Sequence, residues 1–187
     1  MPATPALRSP RPAGFTYLEL VFVIIILSVL YVLGIDRLLK IRADAEAAAL
    51  AYTRSGLEVA LSLQLAHLAA RGRLHEATRL LGANPVDWLA QPPDNYAGAF
   101  TPEEAARRVE PGQWWFDTRA RELVYRVRFV EFFQPEQGHA PEVRLKVRLV
   151  YADNDGNGRF DRQKDDVLGV RLVTLTPYRW LEEPKNA

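Results

Sequence analysis

Residues 153–166 read Asp-Asn-Asp-Gly-Asn-Gly-Arg-Phe-Asp-Arg-Gln-Lys-Asp-Asp. Asp153, Asp155 and Asn157 alternate and Gly158 follows. This is the spacing of the first, third, fifth and sixth positions of a calcium loop, where hard oxygen donors converge and a glycine makes the sharp turn. Arg159 falls where such a loop offers a backbone carbonyl, and Asp161 falls at the ninth position. Phe160, between them, is placed to anchor the loop to the core. The twelfth position calls for a bidentate glutamate but holds Lys164. Either Asp165 or Asp166 supplies the closing carboxylate if the loop runs one residue longer. The competing reading is a polar hairpin turn built on Asp-Gly and Asn-Gly. Acids crowded into so short a span repel one another unless a cation sits among them. Calcium is therefore the expected ion, ahead of magnesium, which keeps few protein ligands and more water.

No second constellation of this kind occurs. The chain has no cysteine, which excludes disulfides, zinc-thiolate sites, iron–sulfur clusters and a cysteine nucleophile. His67, His75 and His139 share no ligand spacing, and there is no glycine-rich phosphate loop or G-x-S-x-G elbow. A non-enzymatic protein is the expectation. A formal net charge of +1 over 187 residues announces no bulk affinity for nucleic acid.

The elements that would carry the loop read as strands at about 113–117, 122–133, 142–151 and 167–175, joined as an antiparallel four-stranded meander. Alternation assigns their faces. Tyr125, Val127 and Phe129 oppose Arg126 and Arg128, and Val143, Leu145, Val147 and Leu149 oppose Arg144, Lys146 and Arg148. Leu168, Val170 and Leu172 likewise oppose Arg171. Six basic side chains thus leave one face, which reads as a solvated outer surface. The alternative is a surface for an anion or acidic partner, DNA included. Trp114 and Trp115, adjacent in a strand, point to opposite faces, one as a core anchor and one half covered.

Before the strands, 36 to about 70 contains no proline, and Leu50, Leu57, Leu61, Leu65 and Leu68 form one helical stripe able to pack on a sheet. Arg42, Glu46, Arg54 and Glu58 fall largely elsewhere on that helix. Gly72 ends or kinks it, and 73–81 reads as one more short helix. The proline-rich stretch 83–112 reads as a connecting loop with a short helix near 102–109.

The N-terminus is distinct. Residues 1–14 carry Arg8 and Arg11 and no acid, and 15–35 are apolar except for Glu19. A helix over 15–35 rises about 31 Å, the thickness of a bilayer's hydrocarbon core. Gly14-Phe15-Thr16-Tyr17-Leu18-Glu19, followed by the apolar run 20–33, resembles the N-terminus of type IV prepilins and type II secretion pseudopilins. More loosely, the runs at 84–98, 112–117 and 122–129 look like the pattern in minor pilins and accessory pseudopilins.

The resemblance implies a leader at 1–14, a transmembrane half-helix at 15–35 and a periplasmic globular domain at 36–187. It implies an α+β, pilin-like fold: a long N-terminal helix, membrane-spanning in its first half, packed on an antiparallel four-stranded sheet. The chain would be a single-pass inner-membrane protein that passes into a pilus or pseudopilus filament as a minor pilin or pseudopilin. Its partners would be prepilin peptidase and other pilin or pseudopilin subunits. The peptidase would cut after Gly14, the new Phe15 amine would be methylated, and Glu19 would pair with the Phe15 amine of a neighbouring subunit. The alternative is a pilus-associated binding subunit that captures DNA or another polyanion on the basic sheet face, with nucleic acid not favoured. Mass measurement of the mature protein checks the processing expectation. A chain beginning at Phe15 is expected, with cleavage kept in part by Gly14→Ala and lost with a bulky or charged residue at that position.

Overall fold

A computed structural model describes residues 14–136, 139–161 and 163–185; the expected leader, apart from Gly14, lies outside them. The first helix, α1, runs Tyr17–Ala70. Thr16 Oγ1 accepts the Glu19 N–H at 3.3 Å, so the helix opens on a Thr-x-x-Glu start in which a hydroxyl satisfies a free first-turn donor. Gly72 ends it at φ +67°, a conformation that costs a residue with a Cβ. There the Arg73 N–H donates back to the Leu68 carbonyl at 2.8 Å. The chain divides into two compact units within α1, Met1–Leu39 and Lys40–Ala187.

Among the described residues no helix is long and apolar enough to cross a membrane. This corrects both the membrane-spanning half-helix and the single-pass inner-membrane placement with a periplasmic domain. Within α1 the charge-free run at 20–35, between Glu19 and Asp36, rises about 24 Å, short of a core of about 30 Å.

In the second unit the strands are β1 (Tyr96–Phe100), β2 (Trp114–Asp117), β3 (Glu122–Arg126), β4 (Phe133–Pro135), β5 (Glu142–Ala152), β6 (Asp166–Thr174) and β7 (Tyr178–Trp180). They form a five-stranded sheet in the order β1-β2-β3-β5-β6 and a separate two-stranded sheet, β4-β7. The four-stranded antiparallel sheet is thereby corrected, since β1 joins parallel to β2 and makes the larger sheet mixed.

The parallel entry follows from local chemistry. Thr101 and Glu104 form a reciprocal capping box, and Pro102 opens α2 (Pro102–Arg108) right after β1. The helix carries the chain back over the sheet before β2 begins, as a parallel pair requires. The expected strand at 122–133 is also divided. β3 stops at Arg126, a 3-10 turn occupies Val130–Phe132, and β4 pairs with β7 instead.

At β2 and β3 the larger sheet is covered on both faces. Leu50, Leu57 and Leu61 of α1 pack with Trp114, Phe116, Leu123, Tyr125, Val143, Leu145 and Leu172 on one face. Ala105 and Val109, from α2 and its end, pack with Trp115 and Val124 on the other. Trp114 and Trp115 therefore do point to opposite faces, but both are closed off, at 1% and 2% exposure. Trp115 anchors a second small core rather than lying half covered.

Glu46 lies on the packed face of α1, at 8% exposure. Its carboxylate accepts the Tyr125 hydroxyl at 2.8 Å, the Arg128 N–H at 2.7 Å and the Phe129 N–H at 3.0 Å. The two amides are those that leave the sheet where β3 ends, so a side chain of the helix replaces the missing ladder partners. Burial first, and the Glu46 bond second, push the Tyr125 phenol above its usual 10.0. A group whose pKa is raised on folding contributes stability below the unfolded value and loses it as pH climbs through the folded one. This tyrosine thus destabilises the fold only in strong alkali. Glu46→Ala orphans two backbone donors and a hydroxyl, so denaturant unfolding should show a loss of about 3 kcal/mol or more, against about 1 kcal/mol for Tyr125→Phe.

Candidate metal centre

The acidic loop joins β5 to β6, which pair over the length of a long hairpin with one register shift near the loop, at Val150/Tyr151. Gly156 and Gly158 take φ of +71° and +73°, the two left-handed residues that let the chain double back. The Phe160 ring meets Tyr151 of β5 edge-on, with centroids 5.3 Å apart, and so seats the loop on the strand.

Asp153, Asp155 and Asp165 are brought together, each offering a carboxylate oxygen within 4.8 Å of the others. Asp153 is held by three backbone donors, Gly156 and Asn157 on Oδ1 and Gly158 on Oδ2. Asp165, at 7% exposure, accepts the Asn154 N–H at 3.0 Å on one oxygen and the Asp161 N–H at 2.7 Å on the other. Of the two candidates for the closing carboxylate, Asp165 is the one in the cluster, while Asp166 Oδ2 accepts from Asn154 Nδ2.

The remaining expected ligands are placed differently. Asn157 turns its Oδ1 to the Arg159 N–H and its Nδ2 to Asp155. Asp161 Oδ1 accepts the Gln163 N–H, and Asp161 is not part of the three-acid group.

The sequence reading placed no cation among these acids, but Lys164 supplies one. Its Nζ lies 3.1 Å from Asp155 Oδ2 and 4.0 Å from Asp161 Oδ2. That ammonium is the main reason the Asp155 carboxyl is held below its ordinary value. A carboxyl depressed on folding adds stability above its unfolded pKa and loses it as pH falls. Lys164 stands where a calcium loop has its glutamate, so it is an internal counter-ion in competition with any metal. Three converging carboxylates still suit a hard cation taking six to eight oxygens, the others from carbonyls and water.

The six basic residues do not act as one surface. Arg126 approaches Glu142 at 3.7 Å and donates to the Val109 carbonyl, and Arg128 donates to the Pro111 carbonyl. Arg144 pairs with Glu122 at 3.2 Å and with Glu142 at 3.0 Å, and Lys146 pairs with Glu122 at 3.3 Å. Arg148 and Arg171 are exposed and directly opposed across β5 and β6. At the N-terminus Gly14, Phe15 and Glu19 are all exposed. Glu19 sits in the first turn of α1, where a carboxylate also complements the helix dipole. The Thr16-x-x-Glu19 spacing carried that signal in the sequence, whereas nothing local marked Glu46.

Saturating calcium should raise the melting temperature of the chain. At a hundredfold the dissociation constant the gain is about 2.7 kcal/mol. Asp155→Ala should abolish it, Asp94→Ala in the proline-rich loop should leave it intact, and Lys164→Gln should shift half-saturation to lower calcium. A melting curve indifferent to chelator and calcium alike would reduce the loop to a polar turn. No protein-family model, curated protein or solved structure matches this chain.

Proposed function

We propose that this chain is a non-catalytic structural subunit, a minor pilin or pseudopilin, of a filament of the type IV pilus or type II secretion kind. In this reading a prepilin peptidase releases it after Gly14 and it assembles with other subunits through the start of α1. The observation that carries the reading is the exposed apolar surface of that segment. Phe15, Tyr17, Leu18, Phe22, Ile24, Ile26, Leu30 and Tyr31 all lie open. An apolar surface of that extent, encircling the helix, requires a covering partner. Copies of the same segment, side by side, supply one. Glu19 at the head of the segment then needs a cation, and the free amine of a neighbour's Phe15 is of the right sign and near the right level.

The acidic loop adds to this reading as a calcium clip. In a chain without cysteine, an ion bridging the β5–β6 loop ties Asp153 and Asp155, just after β5, to Asp165, just before β6. It binds the folded loop and so stabilises it. Extracellular modules take calcium at about 0.1–1 mM, a range that suits a structural ion rather than a sensor.

Glu19→Ala should leave the globular unit folded and cut incorporation into filaments by about tenfold or more, the scale of an unpaired buried charge. The check is the amount of the variant in sheared filament fractions beside the wild-type protein. Equal incorporation would refute the pairing.

A further inference from the structure

The outer face of the larger sheet carries one cross-strand pair of like sign. Arg148 of β5 stands directly opposite Arg171 of β6. Like charges so placed destabilise an antiparallel pair. Both residues are exposed, and neither side chain forms a hydrogen bond or ion pair among the described residues. Their neighbours on β5 differ, since Arg144 pairs with Glu122 and Glu142, and Lys146 pairs with Glu122.

The same two arginines lie at the sheet's border. β6 pairs with β5 and, among the described residues, with no other strand. Beyond the register shift at Leu168, its far side is a row of backbone donors and acceptors over 169–174, a template for another strand. Two apolar side chains accompany the charges, Leu168 at 66% exposure on β6 and Val150 at 37% on β5.

We propose that the free edge of β6 receives an extended acidic segment of a partner protein as a sixth strand, with a carboxylate facing Arg171 and Arg148 and an apolar side chain covering Leu168. Charge complementarity selects this occupant. A second copy is disfavoured, because its β6 carries one aspartate and one arginine and so brings no net negative charge to the two arginines. Duplex DNA draws its affinity from many neutralised phosphates, and most of the basic residues of this face are already paired within the protein. An acidic strand instead uses everything the edge offers: main-chain pairing for affinity, and alternate side chains for selection. An added strand lies about 4.8 Å beyond β6, so a carboxylate on it meets Arg171 directly, and Arg148, one strand further in, reaches it through its long side chain. The surface shares no residue with the α1 segment that carries the filament reading, so each stands or falls alone.

The test uses the full chain and a fluorescent peptide of alternating valine and glutamate, followed by anisotropy at low salt. Saturable binding is expected. It should weaken about tenfold or more in the double variant Arg148→Glu, Arg171→Glu and be lost when the peptide's central amides are N-methylated. The double variant should instead take up an alternating valine–lysine peptide. The proposal is overturned if no glutamate peptide binds up to millimolar concentration or if the double variant binds it unchanged. It is equally overturned if the N-methylated peptide binds as well as its parent, or if a DNA duplex or the lysine peptide binds the wild-type chain more tightly. Since both arginines are exposed, the variants should keep the wild-type circular dichroism. Were they to misfold, the amide-methylated, lysine and DNA probes on the wild-type chain still decide the matter.

Discussion

A carboxylate leaves water only where donors replace the solvent, and Glu46 finds three under the sheet. Two of them are backbone amides that lose their ladder partners as β3 ends, so the charge and the strand break depend on each other. Without the break there would be no free amides to solvate the carboxylate; without the carboxylate the amides would be buried and unpaired. This reciprocal requirement registers α1 against the sheet. It also turns the chain out of the larger sheet at Val127, so that Phe133 and its neighbours can form a second, smaller one. The apolar contacts of Leu50, Leu57 and Leu61 supply adhesion, but they tolerate sliding in a way that three directed bonds do not.

What could be read from the sequence divides along the same line. Regular spacing of apolar residues is local, and the stripe Leu50, Leu57, Leu61 indeed marks the face of α1 turned to the core. The alternation in β5 is local too, and it set Val143, Leu145 and Val147 inside. What escaped is decided by partners far along the chain. Tyr96-Ala97-Gly98-Ala99-Phe100 has the composition of a loop and becomes a strand only because Trp114–Asp117 lies beside it. The end of β3 depends on a residue some eighty positions earlier. In the acidic loop, spacing identified Asp153 and Asp155, which are fixed by turn geometry, whereas the choice between Asp165 and Asp166 rests on which one the folded loop turns inward. Five of the six basic residues lie on strands, while Arg128 falls beyond the end of β3; Glu122 and Glu142, which pair with Arg126, Arg144 and Lys146, could not be assigned to them from one strand alone.

The adjacent tryptophans show how a thin sheet can support two cores. Trp114 meets the ring of Tyr125 beneath α1 at a tilt of 51°, with centroids 4.8 Å apart. Trp115, one residue on, fills the space beneath α2 with Val124. A side chain on either face is thus braced through the backbone by a large ring on the other. Close packing on both sides leaves β2 and β3 little freedom to shift register, since a slip of one residue would exchange the two surfaces.

The closing strand has a consequence in time rather than in space. Phe133, wholly buried, is enclosed by the rings of Tyr178 and Trp180, each 5.2 Å away, and Leu181 and Lys185 donate back to the Phe132 and Glu131 carbonyls. The rings that enclose Phe133 are therefore synthesised about 45 residues after it. During translation the helix, the sheet and the acidic hairpin can all be in place while Phe133 still faces solvent. Native packing around Phe133 then waits for Tyr178 and Trp180 to emerge, an interval in which a nascent molecule presents an aromatic vacancy and an unpaired β4 to whatever chaperone or neighbouring chain is nearby.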